Sequence, residues 1–344
     1  MKFATGAAKK SMTEFCGGVD VGGTKISSAL FTRAGEISAR KKIAIDKVGG
    51  DAVAAQVRDE IEALEEAARA AGGRLAAVGI SIPGIAYSGS GKVWAPNIPG
   101  WDQYPLLDKI KGRGQVPLVL ESDRSAYVAG ESWRGAATGA RDAVFLAVGT
   151  GIGAGIISGG RIIYGHEDIA GAVGWFGLNP AFKPEYASMG SFEAEASGNS
   201  VARKARERLE QGRGSSMLDL AGGRVEAVTA EVVAEAARNK DPLALEVVAE
   251  TVTYLAMGIA NIVSILNPEV VVVGGGLFQA ADVFLEPVRR EFKRWAQPLA
   301  ARTVRIELSA LGEDAGLYGC GKLAWDRLGS GGERILRSDL QNRG

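Results

Sequence analysis

Cysteine and histidine are scarce in this chain of 344 residues. It has two cysteines, Cys16 and Cys320, far apart along the chain, and a single histidine, His166. So few thiols favour a reducing compartment such as the cytoplasm, in which neither cysteine needs to pair. We expect both cysteines to be buried as small apolar residues. His166 lies in a predicted loop, where histidine is more often solvated than catalytic, and we assign it no role.

Net charge and long apolar runs are lacking as well. Forty basic residues balance forty acidic ones, so the chain has no overall positive field that would attract nucleic acid. No run of about eighteen apolar residues is uninterrupted, which argues against a membrane-spanning helix. We therefore predict a soluble, cytoplasmic protein that binds neither nucleic acid nor membrane.

The sequence does contain alternating strand and helix patterns. Residues 15–31 predict a strand, a Gly-Gly turn and a second strand, and residues 51–71 have the apolar spacing of a helix. The hairpin pattern returns at residues 143–163. A long helix is predicted from Asp241, and a buried strand follows at residues 270–273. These patterns predict an α/β protein with two similar halves.

The repeated hairpin sets the predicted domain boundaries. We expect a disordered leader over residues 1–15, an N-terminal lobe over 16–135 and a C-terminal lobe over 136–312. The C-terminal helix, 313–328, is predicted to return to the N-terminal lobe, and residues 329–344 to form a flexible tail.

A glycine-rich turn follows the first predicted strand. Asp20 lies near the end of this strand, and the turn residues are Gly22, Gly23, Thr24 and Lys25. Glycines let a nucleotide phosphate approach the backbone amides, while the hydroxyl and ammonium add donors and the carboxylate suits water-mediated Mg²⁺ binding. A plain hairpin turn is the alternative, although an aspartate inside an apolar strand argues against it. The turn is not a Walker P-loop, since isoleucine and a strand follow the lysine.

Two further glycine clusters follow strands in the second half. Gly149, Thr150 and Gly151 precede a predicted hairpin, whereas a dinucleotide-binding fingerprint must open a helix. We therefore interpret them as a second phosphate loop. The other cluster follows a buried strand, where bare backbone would admit a flat adenosine, and consists of Gly274, Gly275 and Gly276. A simple strand-to-helix turn explains that cluster equally well.

Three loops at strand ends in two similar halves fit the α/β, two-lobed actin-like ATPase (ribonuclease H-like) fold, with nucleotide in an interlobe cleft. From Gly18 to about Leu328, the chain resembles the ROK family of sugar kinases and repressors, and within it the glucokinases. The motifs that carry the resemblance are GVDVGGTK at 18–25, PNIPGW at 96–101, ESDRSAYVAGE at 121–131, GTGIGAGI at 149–156 and NPEVVVVGGG at 267–276.

The resemblance implies an ATP- and Mg²⁺-dependent sugar kinase that forms a homodimer. It makes Asp123 the general base that deprotonates the attacking hydroxyl, although spacing alone fits an ordinary helix N-cap as well. Ser122 stands where the family usually has asparagine. Asn97 and Glu193 are implied to hold substrate hydroxyls, and Gly84 to give close access. For Glu193, a solvated helix residue is the alternative.

The chain departs from the family pattern after the second phosphate loop. Ala172 and Trp175 stand where the family has a sugar-binding glutamate and a zinc-binding histidine, and three cysteine positions are taken by Pro184, Tyr186 and Ser191. These residues do not replace thiolate and imidazole ligands, so we predict no zinc site. We expect packing by four aromatic residues to hold this loop instead: Trp175, Phe176, Phe182 and Tyr186.

These departures bear on the substrate. Losing hydrogen bonds around which a buried site is built commonly costs a factor of ~10⁴ in discrimination, so unmodified glucose is not the predicted acceptor. We hypothesise an acceptor with an apolar or bulky substituent stacked on Trp175, such as an N-acyl sugar, a glycoside or a cyclitol. The alternative is that Trp175 only fills the space of the lost zinc site.

The resemblance to the ROK family also allows two functions other than catalysis. A sugar-binding pseudokinase of the ROK family would bind ligand without turnover, but both phosphate loops and Asp123 are present. A ROK transcriptional repressor carries an N-terminal DNA-binding domain of roughly sixty residues, whereas about fifteen residues precede the first predicted strand here. We therefore expect an active kinase.

Overall fold

The computed structural model describes residues 12–111 and 116–329. The predicted leader, 1–15, and the predicted tail, 329–344, fall almost wholly outside them. Where the leader is described, it differs from the prediction, because residues 13–15 pair with the strand that begins at Gly73 and so belong to the first strand. Gly329 likewise ends the last helix.

Strands and helices alternate as the sequence patterns predict. The strands are β1 Thr13–Val21, β2 Lys25–Phe31, β3 Ile37–Ala44, β4 Gly73–Ile82, β5 Ile85–Tyr87, β6 Lys92–Trp94, β7 Leu118–Ser122, β8 Ala143–Val148, β9 Ile152–Ser158, β10 Arg161–Ile162, β11 Val270–Gly274 and β12 Arg305–Leu308. The helices are α1 Gly50–Ala70, α2 Leu106–Ile110, α3 Asp123–Arg134, α4 Tyr186–Met189, α5 Ser191–Ala196, α6 Gly198–Glu210, α7 Met217–Leu220, α8 Ala230–Arg238, α9 Pro242–Leu266, α10 Ala281–Trp295, α11 Ala300–Thr303 and α12 Ala315–Gly329.

The first unit is built on a five-stranded sheet with the order β3-β2-β1-β4-β7. Strand β2 is antiparallel to both β1 and β3, whereas β4 and β7 run parallel to β1. Helix α1 packs on this sheet through an apolar stripe that includes Val53, Val57 and Ile61. The last part of α12 also belongs here, and the Cys320 thiol donates a hydrogen bond to the Val19 carbonyl oxygen, 3.4 Å away.

The second unit repeats this topology. Its sheet has the order β10-β9-β8-β11-β12, with β8, β9 and β10 antiparallel and β11 and β12 parallel to β8. The core helix is α9, which starts as predicted at Asp241, whose side chain accepts a hydrogen bond from the Ala244 N–H at 2.9 Å. By length and composition alone α9 is apolar enough to cross a membrane, but 61% of its most apolar window is buried inside the unit.

The boundaries between the two units differ from those predicted from the sequence. The second unit begins after Asp123 and the chain returns to the first unit at Gly319, whereas the predicted boundaries were 135/136 and 312/313. The reason lies in α3, which packs directly on β9. A Cβ at Gly155 would lie 1.9 Å from the Arg124 carbonyl oxygen and 2.9 Å from Val128, so most of α3 folds with the second sheet.

Both cysteines are buried, as predicted. Burial is the main reason that the pKa of Cys16 rises to about 12, and burial also raises the pKa of Cys320 well above its usual range. Both residues are therefore neutral thiols that pack as small apolar groups.

Candidate active site

Three parallel strands of the first unit carry polar side chains within their last two residues, at one edge of the sheet. Asp20 of β1 is in register with Ser81 of β4, which is in turn in register with Glu121 of β7. Ser122 ends β7 and is buried, and Asp123 follows directly as the half-buried first residue of α3. Because parallel strands end at the same edge, the topology gathers Asp20, Ser81 and Asp123 there.

Ser81 is a site residue that the sequence reasoning missed. It is fully buried, and its hydroxyl donates a hydrogen bond of 2.5 Å to Oδ1 of Asp20. This bond fixes the carboxylate that we predicted to hold Mg²⁺ through water. Anchored carboxylate oxygens are the hard donors that Mg²⁺ prefers, so the residues fit this ion. The sequence signal that would have indicated Ser81 is a polar residue between two isoleucines, Ile80 and Ile82, in an otherwise apolar strand.

The glycine turn after β1 is a tight hairpin with open space at its tip. The Gly22 N–H donates to the Lys25 carbonyl oxygen at 2.8 Å, and Gly23 and Thr24 are exposed. Across residues 12–111 and 116–329, no acceptor pairs with the backbone N–H of Gly23 or Thr24. The turn therefore offers free backbone donors, as phosphate binding requires.

Asn97 lies beside this turn. A Cβ at Gly23 would be 3.9 Å from the Cβ of Asn97, so the structure brings together the predicted phosphate turn and the predicted sugar-binding asparagine. The asparagine loop is fixed by Trp101, which is almost completely buried and donates from Nε1 to the Gly50 carbonyl oxygen at 3.1 Å. The Trp101 ring also stacks on Tyr104, with centroids 5.5 Å apart.

Gly84 has a structural explanation that the sequence did not provide. A Cβ at this position would lie 2.0 Å from the Trp94 carbonyl oxygen, so the glycine lets the loop after β4 pass close to the end of β6. Its predicted role in giving substrate close access stays a prediction.

In the second unit, the two remaining glycine clusters lie side by side. A Cβ at Gly149 would be 3.6 Å from the backbone nitrogen of Gly276. Gly275 has φ 93°, and a Cβ there would lie 2.6 Å from the Val148 carbonyl oxygen, so only glycine fits. Within the described residues, the N–H groups of Thr150, Gly275 and Gly276 have no acceptor.

A pocket of about 190 Å³ opens beside the third glycine cluster. The sequence reasoning did not find it. Residues of α8, of the turn before α10 and of α10 itself line it: Ala230, Glu231, Ala234, Arg238, Gly276, Leu277, Gln279, Ala280 and Phe284. Mostly apolar walls with a few polar groups are typical of small-molecule sites.

Glu193 is held against the second phosphate loop. Its Oε2 accepts a hydrogen bond of 2.7 Å from the Ile152 N–H, directly after the loop. The absence of a side chain at Gly151 makes room for this carboxylate, because a Cβ there would be 2.7 Å from Oε2. Burial raises the pKa of Glu193 and the Ile152 hydrogen bond partly opposes the rise. Whether Glu193 also holds a substrate hydroxyl stays a prediction.

The aromatic packing that we expected in the loop at residues 172–191 is present only in part. Trp175 is 58% exposed, so the expectation is wrong for this residue. Phe182 is 75% exposed, but its ring packs edge-on against Tyr186, with centroids 5.9 Å apart. Phe176, which stacks on Phe192 with centroids 6.4 Å apart, and the buried Tyr186 do pack as expected. In the part of the chain that the structure describes, no group of three or more His, Cys, Asp or Glu residues is arranged to hold a metal ion.

Comparison with known proteins places the chain in a family. A glucokinase from Halalkalibacterium halodurans is 34% identical over 310 residues, which cover 89% of this chain and 93% of the relative. The structure of a ROK family glucokinase from Streptomyces griseus in complex with glucose and AMPPNP aligns with a TM-score of 0.75 at 30% identity, over 91% of this chain and 99% of that chain. A ROK hexokinase from Thermus thermophilus aligns with a TM-score of 0.76 at 28% identity, and the alignment covers 92% of this chain and 99% of that chain.

The similarity to these structures confirms the predicted two-lobed actin-like ATPase fold. The repeated strand order of the two units agrees with it. The ROK family itself matches residues 16–327, nearly the whole described chain. This chain therefore belongs to the ROK family.

Proposed function

We propose that this protein transfers the terminal phosphoryl group of ATP to a hydroxyl group of a sugar or sugar-like substrate, with Asp123 as the general base. Its similarity to glucokinases and to a ROK glucokinase structure with glucose and AMPPNP supports the class of reaction. The observation that carries the mechanism is the sheet edge shared by Asp20 near the end of β1, Ser81 near the end of β4 and Asp123, which directly follows β7.

Asp123 is suited to the role of base. It directly follows the buried Ser122 at the end of β7, and α3 begins with it, so its backbone is fixed on both sides. In the proposed step, its carboxylate accepts the proton of the sugar hydroxyl while that oxygen attacks the terminal phosphorus. The bond from this phosphorus to the bridging oxygen of ATP breaks, and ADP leaves. Asn97 would orient the sugar from its position beside the glycine turn.

Each unit offers its own donors for phosphate. The free N–H groups of Gly23 and Thr24, with the Lys25 ammonium, are donors for the terminal phosphates. In the second unit, Gly149, Thr150 and Gly151 serve the same purpose, and the pocket beside Gly276 would take the adenosine. When bound, Mg²⁺ supplies positive charge to the phosphate oxygens, and Asp20 with Ser81 would hold its water ligands.

For the acceptor, we propose a sugar with an apolar or bulky substituent that stacks on Trp175. The exposure of Trp175 supports this choice over the alternative that it only fills the lost zinc site, since a filler would be buried. An N-acyl sugar, a glycoside or a cyclitol would meet the requirement. We also propose that the protein is a cytoplasmic homodimer that needs no zinc.

The test is a measurement of ADP release across a panel of glucose, mannose, N-acetylhexosamines, glycosides and cyclitols. We expect ATP- and Mg²⁺-dependent turnover with at least one substituted sugar. Glucose as the best acceptor by a wide margin would overturn the proposed substrate class, and no turnover with any acceptor would favour a ligand-binding pseudokinase.

Asp123→Asn tests the base. We expect turnover to fall by about 10²–10⁴-fold while ATP affinity, measured by calorimetry, stays within twofold. The exposed Asp108→Asn in the same unit is the matched control and should keep full activity. Equal turnover of Asp123→Asn and the wild type would refute the assignment.

A further inference from the structure

Helix α5 carries two glutamates with different environments. Glu193 is half-buried and contacts the second phosphate loop, whereas the side chain of Glu195 is completely buried. The mechanism proposed above gives Glu195 no role. A buried carboxylate costs free energy unless it is paired and hydrogen-bonded, so its partners need an explanation.

Glu195 is surrounded by cationic and hydroxyl donors from two other segments. Lys183 Nζ lies 2.5 Å from Oε1, and the Tyr186 hydroxyl donates to the same oxygen. Lys204 of α6 lies 2.9 Å from Oε2 as an ion pair, and its ammonium donates to the Glu195 carbonyl oxygen at 2.9 Å. Burial alone would raise the pKa of Glu195, but these three donors outweigh it and lower the pKa to about 2.

The same contacts tie α5 to the core helix. Lys204 Nζ also lies 2.6 Å from Glu250 of α9, and it sits over the Tyr254 ring of that helix, 5.0 Å from the centroid. Asn179 donates from Nδ2 to the hydroxyls of both Tyr186 and Tyr254. The Glu195 cluster, meaning Glu195 with Lys183, Tyr186 and Lys204, therefore joins the loop before α4 to α5, α6 and α9.

This anchoring matters because α5 has only six residues. So short a helix has little stability of its own, and its position depends on its side-chain contacts. The segment touches the second phosphate loop on both sides. Glu193 accepts from the Ile152 N–H after the loop, and Gly198, at the start of α6, donates from its N–H to the Gly149 carbonyl oxygen at 2.8 Å.

We propose that Glu195 is a positioning residue for nucleotide binding: the Glu195 cluster fixes α5 from its buried side, and thereby holds Glu193 and Gly198 against the glycine loop at residues 149–151. The kinetic part of this inference rests on the proposed function, whereas its structural part does not.

The test compares Glu195→Gln with Glu246→Gln. Glutamine keeps the shape of the side chain but replaces one carboxylate oxygen by an amide donor, so the cluster loses its negative charge and one of its two acceptor oxygens. Glu246 belongs to the outer part of the same ionic network, where it binds Arg208 and Arg213 without touching α5. It therefore controls for a general loss of ion pairs.

Two measurements are made on each variant. In Glu195→Gln, amide hydrogen exchange of Ile152 in the ligand-free protein should accelerate by about tenfold, and KM for ATP should rise by about tenfold while kcat changes less than threefold. Glu246→Gln should change neither. Adding Glu193→Gln to Glu195→Gln should have little further effect on the KM for ATP, because both act through one contact.

The outcomes separate this inference from the proposed function. Faster Ile152 exchange without any detectable kinase turnover would support the positioning role and overturn the function. A lower melting temperature with unchanged Ile152 exchange would overturn the positioning role and leave Glu195 a purely structural residue. If Glu195→Gln does not fold, Tyr186→Phe removes only one donor, and Ile152 exchange that stays at the wild-type rate in this variant would overturn the proposal.

Discussion

The two units share one strand order but place different chemistry at the corresponding turns. In the first unit, β1 ends with Asp20 and Val21 before its glycine turn, and in the second, β8 ends with Ala147 and Val148 before its own. The position of the carboxylate in one unit is thus taken by a methyl group in the other. Asp123 follows the last strand of the first sheet, whereas Ser309 follows the last strand of the second.

This difference suits the two units to different steps of the proposed reaction, although their strand order is the same. The first edge carries the carboxylates and the lysine, which suit proton transfer and a hydrated cation. The second edge consists mainly of glycine backbone, with a pocket beside Gly276. Its one carboxylate, Glu193, accepts a hydrogen bond from the Ile152 N–H next to the glycine loop. We therefore expect changes at the carboxylates of the first edge, or at Ser81, to act on kcat, and changes at the glycines of the second edge to act on ATP binding.

Gly275→Ala should give the largest effect and test the second edge. The residue has φ 93°, and a Cβ would lie 2.6 Å from the Val148 carbonyl oxygen, so strain and a clash combine. We expect KM for ATP to rise at least about 100-fold and the melting temperature to fall by roughly 5–10 °C. Steady-state kinetics and calorimetric melting measure the two.

The control is Gly212→Ala, at φ 83° with no atom within 4 Å of a Cβ. It carries the backbone strain without the clash, and we expect a smaller change in melting temperature and an unaltered KM for ATP. If both variants changed KM for ATP equally, ATP binding could not be assigned to the second edge.

Ser81→Ala should give an intermediate effect and test the first edge. The variant removes the hydrogen bond to Asp20 Oδ1, and a hydrogen bond to a charged group is worth roughly 1.5–3 kcal/mol. We expect kcat to fall by about 10- to 100-fold, and half-maximal activity to need more Mg²⁺, while KM for ATP measured at saturating Mg²⁺ changes little.

Ser132→Ala serves as its control, because among the described residues that hydroxyl bonds only to the Ala129 carbonyl oxygen, one turn earlier in α3. An Mg²⁺ titration of Ser81→Ala that superimposes on the wild-type curve would show that Ser81 does not orient Asp20 for the ion.

Trp175→Ala should give the smallest effect on stability and sharpen the substrate proposal. Because its side chain is largely exposed, we expect the free energy of unfolding to change by less than about 0.5 kcal/mol. The preference for a substituted sugar over the free hexose, as a ratio of kcat/KM values, should fall about 2- to 10-fold. Trp295→Ala, on α10, is the control for the preference and should leave it unchanged. An unchanged preference in Trp175→Ala would remove Trp175 from the acceptor site.

Much of the fold was predictable because its signals are local. The turn between β1 and β2 and the start of α9 at Asp241 each depend on a few adjacent residues. The repeated strand, glycine turn and strand pattern was enough to predict two similar α/β halves. The glycine clusters were found for the same reason, since each directly follows a buried strand.

The predictions failed where the deciding contact is distant in sequence. Ser81 bonds to Asp20 across 61 positions, and neither residue's neighbours indicate the other. The boundary after Asp123 depends on how tightly α3 packs on β9, which a hairpin repeat does not reveal. The four aromatic residues of the loop at 172–191 were expected to pack because of their type, yet Trp175 is mainly exposed.

The sequence by itself determined the family, the alternation of strands and helices, and the three glycine turns, because these follow from patterns of neighbouring residues. Only the tertiary structure decided which carboxylates are anchored and by what. It set Ser81 against Asp20, opened the pocket beside Gly276 and enclosed Glu195 among three donors. The physical reason is that hydrogen bonding and burial depend on distance in space, which the chain reaches only once its strands are in register.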